Sequence, residues 1–479
     1  MTRTTLLFGL FFFVLASSLY GQDGRYWSES FGNQSVLLNG SVNGSVSDLG
    51  AVFYNPARLS WLESRGFVIS ARVYEWSSVT VEDGISENSD LKENKLGNAP
   101  SLAAGSFTLP FLKDHIFAVS FLTRQKTNAD FFIAAQDQGD LVDAIPGEEL
   151  VNADLNYAIG FREEWLGLTW SYPFSEKFGI GLSSFFSFIN KGSVIGLNMN
   201  ALDENNKVAG LERSRSIKYN SSGVLWKLGS SVDLGAISMG LTVTTPRVNF
   251  GGQGSALIHD FLINVDRDGD GETDDVFISY AQQGMKVNYR TPWAVGFGVG
   301  IPFKKGVFHL STEWYDKVPR YTLMETNPYT GQSTGDTTTF ALVDEMDQVW
   351  NFGIGLEWYL KSNLTAYLSY STDKSGVTSD ITRFAELESE AANSVFSADF
   401  YKLGGGISIK SKKIELTLGL VYTSAEQDIP RPINFPDEED DPVFESGNTS
   451  NIGFNQTRFI LGLSIPYGAP KKSDVPGTE

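Results

Sequence analysis

The chain has 479 residues, with 37 Lys+Arg against 57 Asp+Glu and a formal net charge of −20. That acidity argues against nucleic acid as a partner, because phosphate binding needs clustered Lys and Arg. There is no Cys, and the three His are His115, His259 and His309, which excludes disulfide frameworks, zinc-thiolate sites and thiol nucleophiles and disfavours a multi-His metal centre.

The first segment reads as an export signal. Arg3 precedes an apolar run from Leu6 to Ala16, and small residues follow around a cut near Gly21/Gln22. The run is too short to span a bilayer as a helix, which takes about 20 residues. Residues 22–66 do not read as barrel wall. Asp48 is expected to cap a short helix beginning near Leu49, Pro56 interrupts it, and Asn55 is biased toward extended backbone by the Pro that follows.

From residue 67 the chain alternates apolar with small or polar residues in short runs. Fourteen strands are predicted, at 67–76, 101–111, 115–124, 155–172, 177–189, 223–234, 236–246, 292–302, 306–316, 349–360, 363–372, 400–410, 413–424 and 455–467. Six short turns alternate with seven long connections, the signature of an outer-membrane barrel with short periplasmic turns and long extracellular loops. In 349–360, Trp350, Phe352, Ile354, Leu356 and Trp358 share one face, while Asn351, Gly353, Gly355 and Glu357 share the other. A register slip of one residue would aim Glu357, Glu415 and Arg458 at lipid. Aromatics at strand ends, among them Trp76, Trp165, Trp350, Trp358 and Tyr467, suit interfacial girdles. The fold class is therefore all-β: a transmembrane antiparallel β-barrel of about 14 strands, with an N-terminal hatch filling a lumen this wide.

The run from Asp48 through Phe53-Tyr-Asn-Pro-Ala57 to Leu59 resembles the N-terminal signature of the FadL/TodX family of outer-membrane transport proteins. Leu241–Gly252 and Thr291-Pro-Trp-Ala-Val-Gly-Phe-Gly298 resemble two further segments of that family. The resemblance implies a fourteen-stranded barrel plugged by a hatch, with Asn55, Pro56 and Ala57 as the hatch motif. It also implies passive inward movement of long-chain fatty acids or other hydrophobic molecules, without a required cofactor. The family's lateral exit is attributed to a kink in the third strand, and 115–124 holds no Gly or Pro to mark one. Many members end on an aromatic residue, whereas this chain continues for twelve residues past Tyr467. The organisation expected is a signal peptide at 1–21, a hatch at 22–66, a barrel at 67–467 and a periplasmic tail at 468–479, in the cell outer membrane of a Gram-negative-type bacterium.

Candidate ligand contacts are apolar residues in the long connections, Phe131, Phe132 and Ile133 in one, and Ala256, Leu257, Ile258, Phe261, Leu262 and Ile263 in another; the competing reading is that these runs extend the strands above the membrane. Lumen-facing Arg72, Glu313, Glu357, Glu415 and Arg458 are expected to pair with one another or with the hatch, and Arg72 and Arg458 are also candidates for gripping a carboxylate headgroup. Asp266, Asp268, Asp270, Glu272 and Asp274 match the first part of a calcium loop, with Gly271 at the sharp turn. Phe277 stands where the bidentate Glu belongs, so Ca2+ affinity of the weak extracellular kind is expected. The acidic run Pro436–Pro442 is a candidate for divalent-mediated contact with lipopolysaccharide. The expected partners are outer-membrane lipid, lipopolysaccharide and a hydrophobic small molecule, with the chain a monomer. Two other readings compete: a structural or secretion-associated barrel, and a hydrolase using His309 beside Ser311.

Overall fold

The computed structural model describes residues 24–62, 65–83, 90–112, 114–139, 147–265, 272–378, 390–393, 397–430 and 449–467. The signal segment, the run 436–442, the C-terminal tail, and Asp266, Asp268 and Asp270 lie outside the described residues.

Strands dominate. β1 (Arg65–Glu82), β2 (Leu91–Phe107), β3 (Ile116–Gly139), β4 (Glu149–Pro173), β5 (Phe178–Asp203), β6 (Val208–Asp233) and β7 (Ser238–Thr244) follow in order. β8 (Val248–Val265) and β9 (Asp274–Lys286) form a hairpin, and β10 (Ala294–Phe303) and β11 (Gly306–Tyr315) come next. One long connection carries β12 (Val318–Glu325), β13 (Tyr329–Thr330), β14 (Thr337–Thr338) and β15 (Ala341–Met346). The chain finishes with β16 (Val349–Lys361), β17 (Leu364–Asp373), β18 (Glu390–Ala392), β19 (Phe400–Lys410), β20 (Glu415–Pro430) and β21 (Thr449–Tyr467).

Sixteen of these strands form one antiparallel sheet, and with β8 and β9 set aside the remaining fourteen close on themselves. Closure is made by β1 against β21 and β5 against β6. Each predicted strand overlaps one strand of this ring. The misjudged quantity is length. β3, β4, β5 and β6 rise far beyond the predicted ends as paired ladders, so 125–154 and 190–222 are largely strand. Their upper parts carry polar residues on the outward face, and the apolar alternation that marks a lipid-facing strand stops there.

The outer surface is apolar through the middle of the ring: Leu166, Leu168, Phe297, Phe352, Leu403 and Leu461 are all exposed. Side chains between them face inward, as the period of two demands; many are small or polar, while Leu102, Leu122, Phe185 and Leu225 pack on the hatch. Trp165 corrects the girdle expectation, since it is buried and packs inward against Phe53 and Phe185. Trp76, Trp350, Trp358 and Tyr467 are exposed.

Residues 24–62 fill the lumen as short turns of 3-10 and α-helix at Ser35–Leu38, Ala51–Tyr54 and Pro56–Trp61. The hatch holds its own shape through Asp48. One carboxylate oxygen accepts from the backbone N–H groups of Asn33, Gln34 and Ser35 at 2.7, 2.6 and 2.9 Å, and the other accepts from the Ser35 hydroxyl and the Gly50 N–H. The helix therefore starts two residues later than predicted, with Asp48 bracing the turn before it. Close approach to the wall requires glycine on both sides: a Cβ on Gly298 would stand 2.5 Å from the Gly44 nitrogen.

The connection from β11 to β16 folds into a cap together with β18 from the β17–β19 connection. β12, β15 and β18 form a small sheet, and Tyr321, Leu323, Phe340 and Leu342 pack with Ile217, Tyr219 and Ile258 of the rising strands.

Candidate functional site

The wall opens between β2 and β3. The two strands pair only from Phe107↔Phe117 to Leu102↔Leu122, after which β2 stays with β1 and β3 stays with β4. Two irregularities coincide there. β3 has a register shift between Thr123 and Gln125, and β1 has shifts on either side of Arg72. Pro100 on β2 has no N–H to donate, which suits an edge. The third strand thus departs from its neighbour without Gly or Pro of its own. The bulged residues are re-aimed at the hatch: Arg124 donates to the Tyr26 carbonyl at 2.6 Å and Arg72 reaches Glu29.

Behind the opening lies a cavity of about 580 Å³, within the roughly 300–1,000 Å³ of small-molecule sites. Its walls carry Val79, Val81, Phe131, Ile133, Leu155 and Tyr157. Phe131 stacks on Tyr157 with ring centroids 6.1 Å apart, and Phe400 stacks on Phe454 at 5.1 Å. Arg25 of the hatch lies over the Phe400 ring at 4.3 Å.

The floor is an ion cluster joining hatch and wall. Arg72 Nη1 is 2.9 Å from Glu29 Oε1 and 2.7 Å from Glu75 Oε2. Arg458 lies 3.0 Å from Glu75 and 3.4 Å from Glu29, and it donates to the Ser28 carbonyl at 2.7 Å. Within this cluster two guanidiniums face two carboxylates. Arg72 and Arg458 are thus already neutralised, which removes the net positive charge that gripping a carboxylate would use. The neighbouring hatch residues are held equally firmly. Asp373 accepts from the N–H groups of Tyr26 and Trp27 at 3.0 and 2.8 Å, and Glu313 accepts from Trp27 Nε1 at 2.8 Å.

The other sequence candidates separate. Phe132 points away from the cavity and is 69% exposed. Leu257 faces outward, while Ile258 is buried in the cap core. Phe261 and Leu262 lie farther along β8, opposite Phe277 and Val276 of β9. Glu272 is exposed at the start of the described part of that hairpin.

Asn55, Pro56 and Ala57 are buried. Asn55 Oδ1 accepts from the Ala57 N–H at 3.1 Å, and its Nδ2 donates to the carbonyls of Asn43 and Ser230 at 3.0 and 3.1 Å. One side chain therefore caps the following turn, ties two parts of the hatch and docks it on β6. His309 is enclosed in the same way: its Nδ1 lies 2.7 Å from the hatch Ser45 hydroxyl and its Nε2 3.5 Å from Glu357. Ser311 instead accepts from the Asn43 N–H at 3.0 Å. With His309 only 2% exposed, an ester has no path to the ring.

Ile133, read from the sequence beside Phe131 and Phe132, lines the cavity; sequence reasoning missed Val79, Val81, Leu155 and Tyr157 as cavity residues, and also Glu29 and Glu75. Val79 and Val81 were signalled by alternation continuing past the predicted end at residue 76, and Leu155 and Tyr157 lie at the start of the predicted strand 155–172. The glutamates carried no local signal.

A closed barrel with an apolar outer band, a wet inner face and an internal plug is an integral membrane barrel of the outer-membrane type. Its fold is that of solved hydrophobic-compound channels. The Pseudomonas putida toluene transporter TodX superposes with a TM-score of 0.56 at 12% identity, covering 92% of this chain and 99% of that one. A CymD monoaromatic hydrocarbon channel gives 0.52 at 11% identity, again over 92% and 99%. A Pseudomonas aeruginosa FadL homologue gives 0.50 at 11% identity, over 94% and 100%. No family model and no curated protein matches the sequence.

Proposed function

We propose that the chain is a passive channel through which hydrophobic small molecules enter across the outer membrane. The observation that carries this is the apolar cavity at the unzipped β2–β3 edge, floored by the hatch. The names of the similar structures, toluene and monoaromatic hydrocarbon channels, support the same reading. A ligand descends into the cavity and leaves sideways between β2 and β3 into the bilayer. It never crosses the ion cluster below. Burial contributes about 0.8 kcal/mol per CH₂, so an alkyl or aromatic body supplies the affinity. The balanced floor favours an uncharged ligand over a carboxylate.

Uptake assays in cells lacking their own hydrophobic-compound channels test this reading. Because the chain has no Cys, Asn98→Cys with Lys126→Cys can be bridged across the opening by a short bis-maleimide; the Lys126 ammonium already reaches the Asn98 carbonyl at 3.0 Å. Toluene uptake is expected to exceed the vector control, and bridging is expected to abolish it. Uptake equal to the control, or unchanged after bridging, overturns the reading.

A further inference from the structure

The chain is strongly acidic, yet one sector of its outer surface is basic. Lys126↔Arg162↔Asn190↔Asn220↔Gln253↔Lys286 are direct partners across β3, β4, β5, β6, β8 and β9, so they form one outward row. All six are exposed. The next row up runs Asn128↔Gly160↔Gly192↔Lys218↔Ser255↔Gln283. These two rows hold four cations and no carboxylate. The nearest outward acids are Glu164, one row below and paired with Arg162, and Asp130, one row above on β3. Lys218 has no ion pair among the described residues.

The shape suits a headgroup. Gly160 and Gly192 are paired, and a Cβ at Gly160 would meet nothing within 4 Å. Their missing side chains dent a shallow groove of about 670 Å³ that runs across the strands from Lys126 to Gln283 and includes Arg162 and Lys218. These residues sit two strands and one row apart, about 12 Å at normal strand spacing and rise. Immediately below, the surface turns apolar and aromatic. Phe186 packs with Phe188 and Phe250 at centroid distances of 4.8 and 4.9 Å, and Leu166 and Val248 are exposed beside them. The groove therefore lies where the hydrocarbon band ends, on the side of the long connections, which is the external side of such barrels.

We propose that this groove binds lipopolysaccharide of the outer leaflet through a phosphate of its lipid A. The phosphate sits over the Gly160–Gly192 dent, between Arg162 and Lys218, where a guanidinium and an ammonium supply charge-assisted hydrogen bonds. The amides of Asn190, Asn220 and Gln253 meet sugar hydroxyls, and the acyl chains lie along Phe186, Phe188 and Phe250. Charge, donors and apolar surface follow one another in the order that phosphate, sugar and acyl chain require. The site is on the outside of the wall, and of its basic residues Lys126 alone also borders the uptake cavity, so Lys218→Gln separates the two readings.

Native mass spectrometry of the detergent-solubilised full chain tests it, with bisphosphorylated lipid A, the same lipid dephosphorylated, and inorganic phosphate as probes. Wild type is expected to retain the bisphosphorylated lipid, and Lys126→Gln with Arg162→Gln and Lys218→Gln to retain at least tenfold less. A control at the short-turn end, Lys177→Gln with Lys304→Gln and Lys305→Gln, is expected to match wild type. Gel-shift on heating verifies that each variant forms a barrel, and Lys218→Gln alone serves if the triple variant does not. Undiminished retention by the variant, or equal retention of the dephosphorylated lipid, overturns the proposal. Displacement of the lipid by equimolar inorganic phosphate would make this a free-anion site and overturns it too.

Discussion

Arg72 in the wall and Glu29 in the hatch form an ion pair at 2.9 Å, with side chains only 3% and 2% exposed. Neither charge has water to fall back on, so each depends on the other and on Glu75 and Arg458 beside them. The pairing couples the position of the hatch to the bulge in β1 that accompanies the wall opening.

Removing one member leaves an uncompensated buried charge, at about 3–5 kcal/mol. Glu29→Ala is expected to loosen the hatch and raise single-channel conductance in planar bilayers several-fold. Adding Arg72→Ala is expected to cost less stability than the two single changes summed, because the stranded charge is gone. A strictly additive result would show that the pair does not couple hatch to wall.

Asp48 accepts five hydrogen bonds from within the hatch. Asp48→Ala leaves several donors without an acceptor, each costing about 1–3 kcal/mol where buried. The hatch is expected to become protease-sensitive in the folded barrel, while the barrel still shows its heat-dependent gel shift. Limited proteolysis followed by mass mapping reads this directly.

Asn55→Ala breaks the contact with β6 as well as the cap on Ala57. Its effect on conductance is expected to exceed that of Asn55→Asp, which keeps the oxygen that accepts from the Ala57 N–H. Gly298→Leu is expected to act like Asn55→Ala, because its side chain needs the space of Gly44, whereas Gly251→Ala, with nothing within 4 Å, is expected to be silent.

Ala129 lines the cavity on β3. Ala129→Trp places an indole in that space and is expected to lower toluene uptake at least fivefold with unchanged barrel stability. An unchanged uptake rate would move the ligand path away from the β2–β3 opening.

The stretch 266–273 lies between β8 and β9, and Asp274 and Asp275 open β9. Calorimetry is expected to show calcium binding at submillimolar to millimolar concentration, of the extracellular type, and Asp268→Ala with Asp270→Ala to remove it. Identical traces for the two proteins would remove the site.

The number of strands and the identity of their lipid face were legible because both depend on a period of two. Any slip exposes Glu357, Glu415 or Arg458 to hydrocarbon, so the pattern and the physics agree. The hatch motif was legible for a different reason: Asn55 followed by Pro56 has one favoured backbone conformation, and the structure keeps it, with Asn55 at φ −154°. Strand ends were not legible, because above the membrane the outward side chains of β3 to β6 turn polar. Trp165 was misplaced because an indole suits a lipid interface and a buried core equally well; the bulk of Phe53 and Phe185 beside it decides.

The residues alone determined that this chain curls its strands into a membrane wall and carries a plug. They could not say which strand edge would come apart. That was settled by three features distant in sequence, Pro100 on β2, the bulge at Arg124 on β3 and the bulge at Arg72 on β1, which meet only once the barrel has closed. Likewise, the linear chain suggests that Arg72 and Arg458 find partners inside the lumen but does not name Glu29 or Glu75. Only folding brings Glu29 and Glu75 against them, because an ion pair is set by distance in space, and its partners here are as far as 429 residues apart along the backbone.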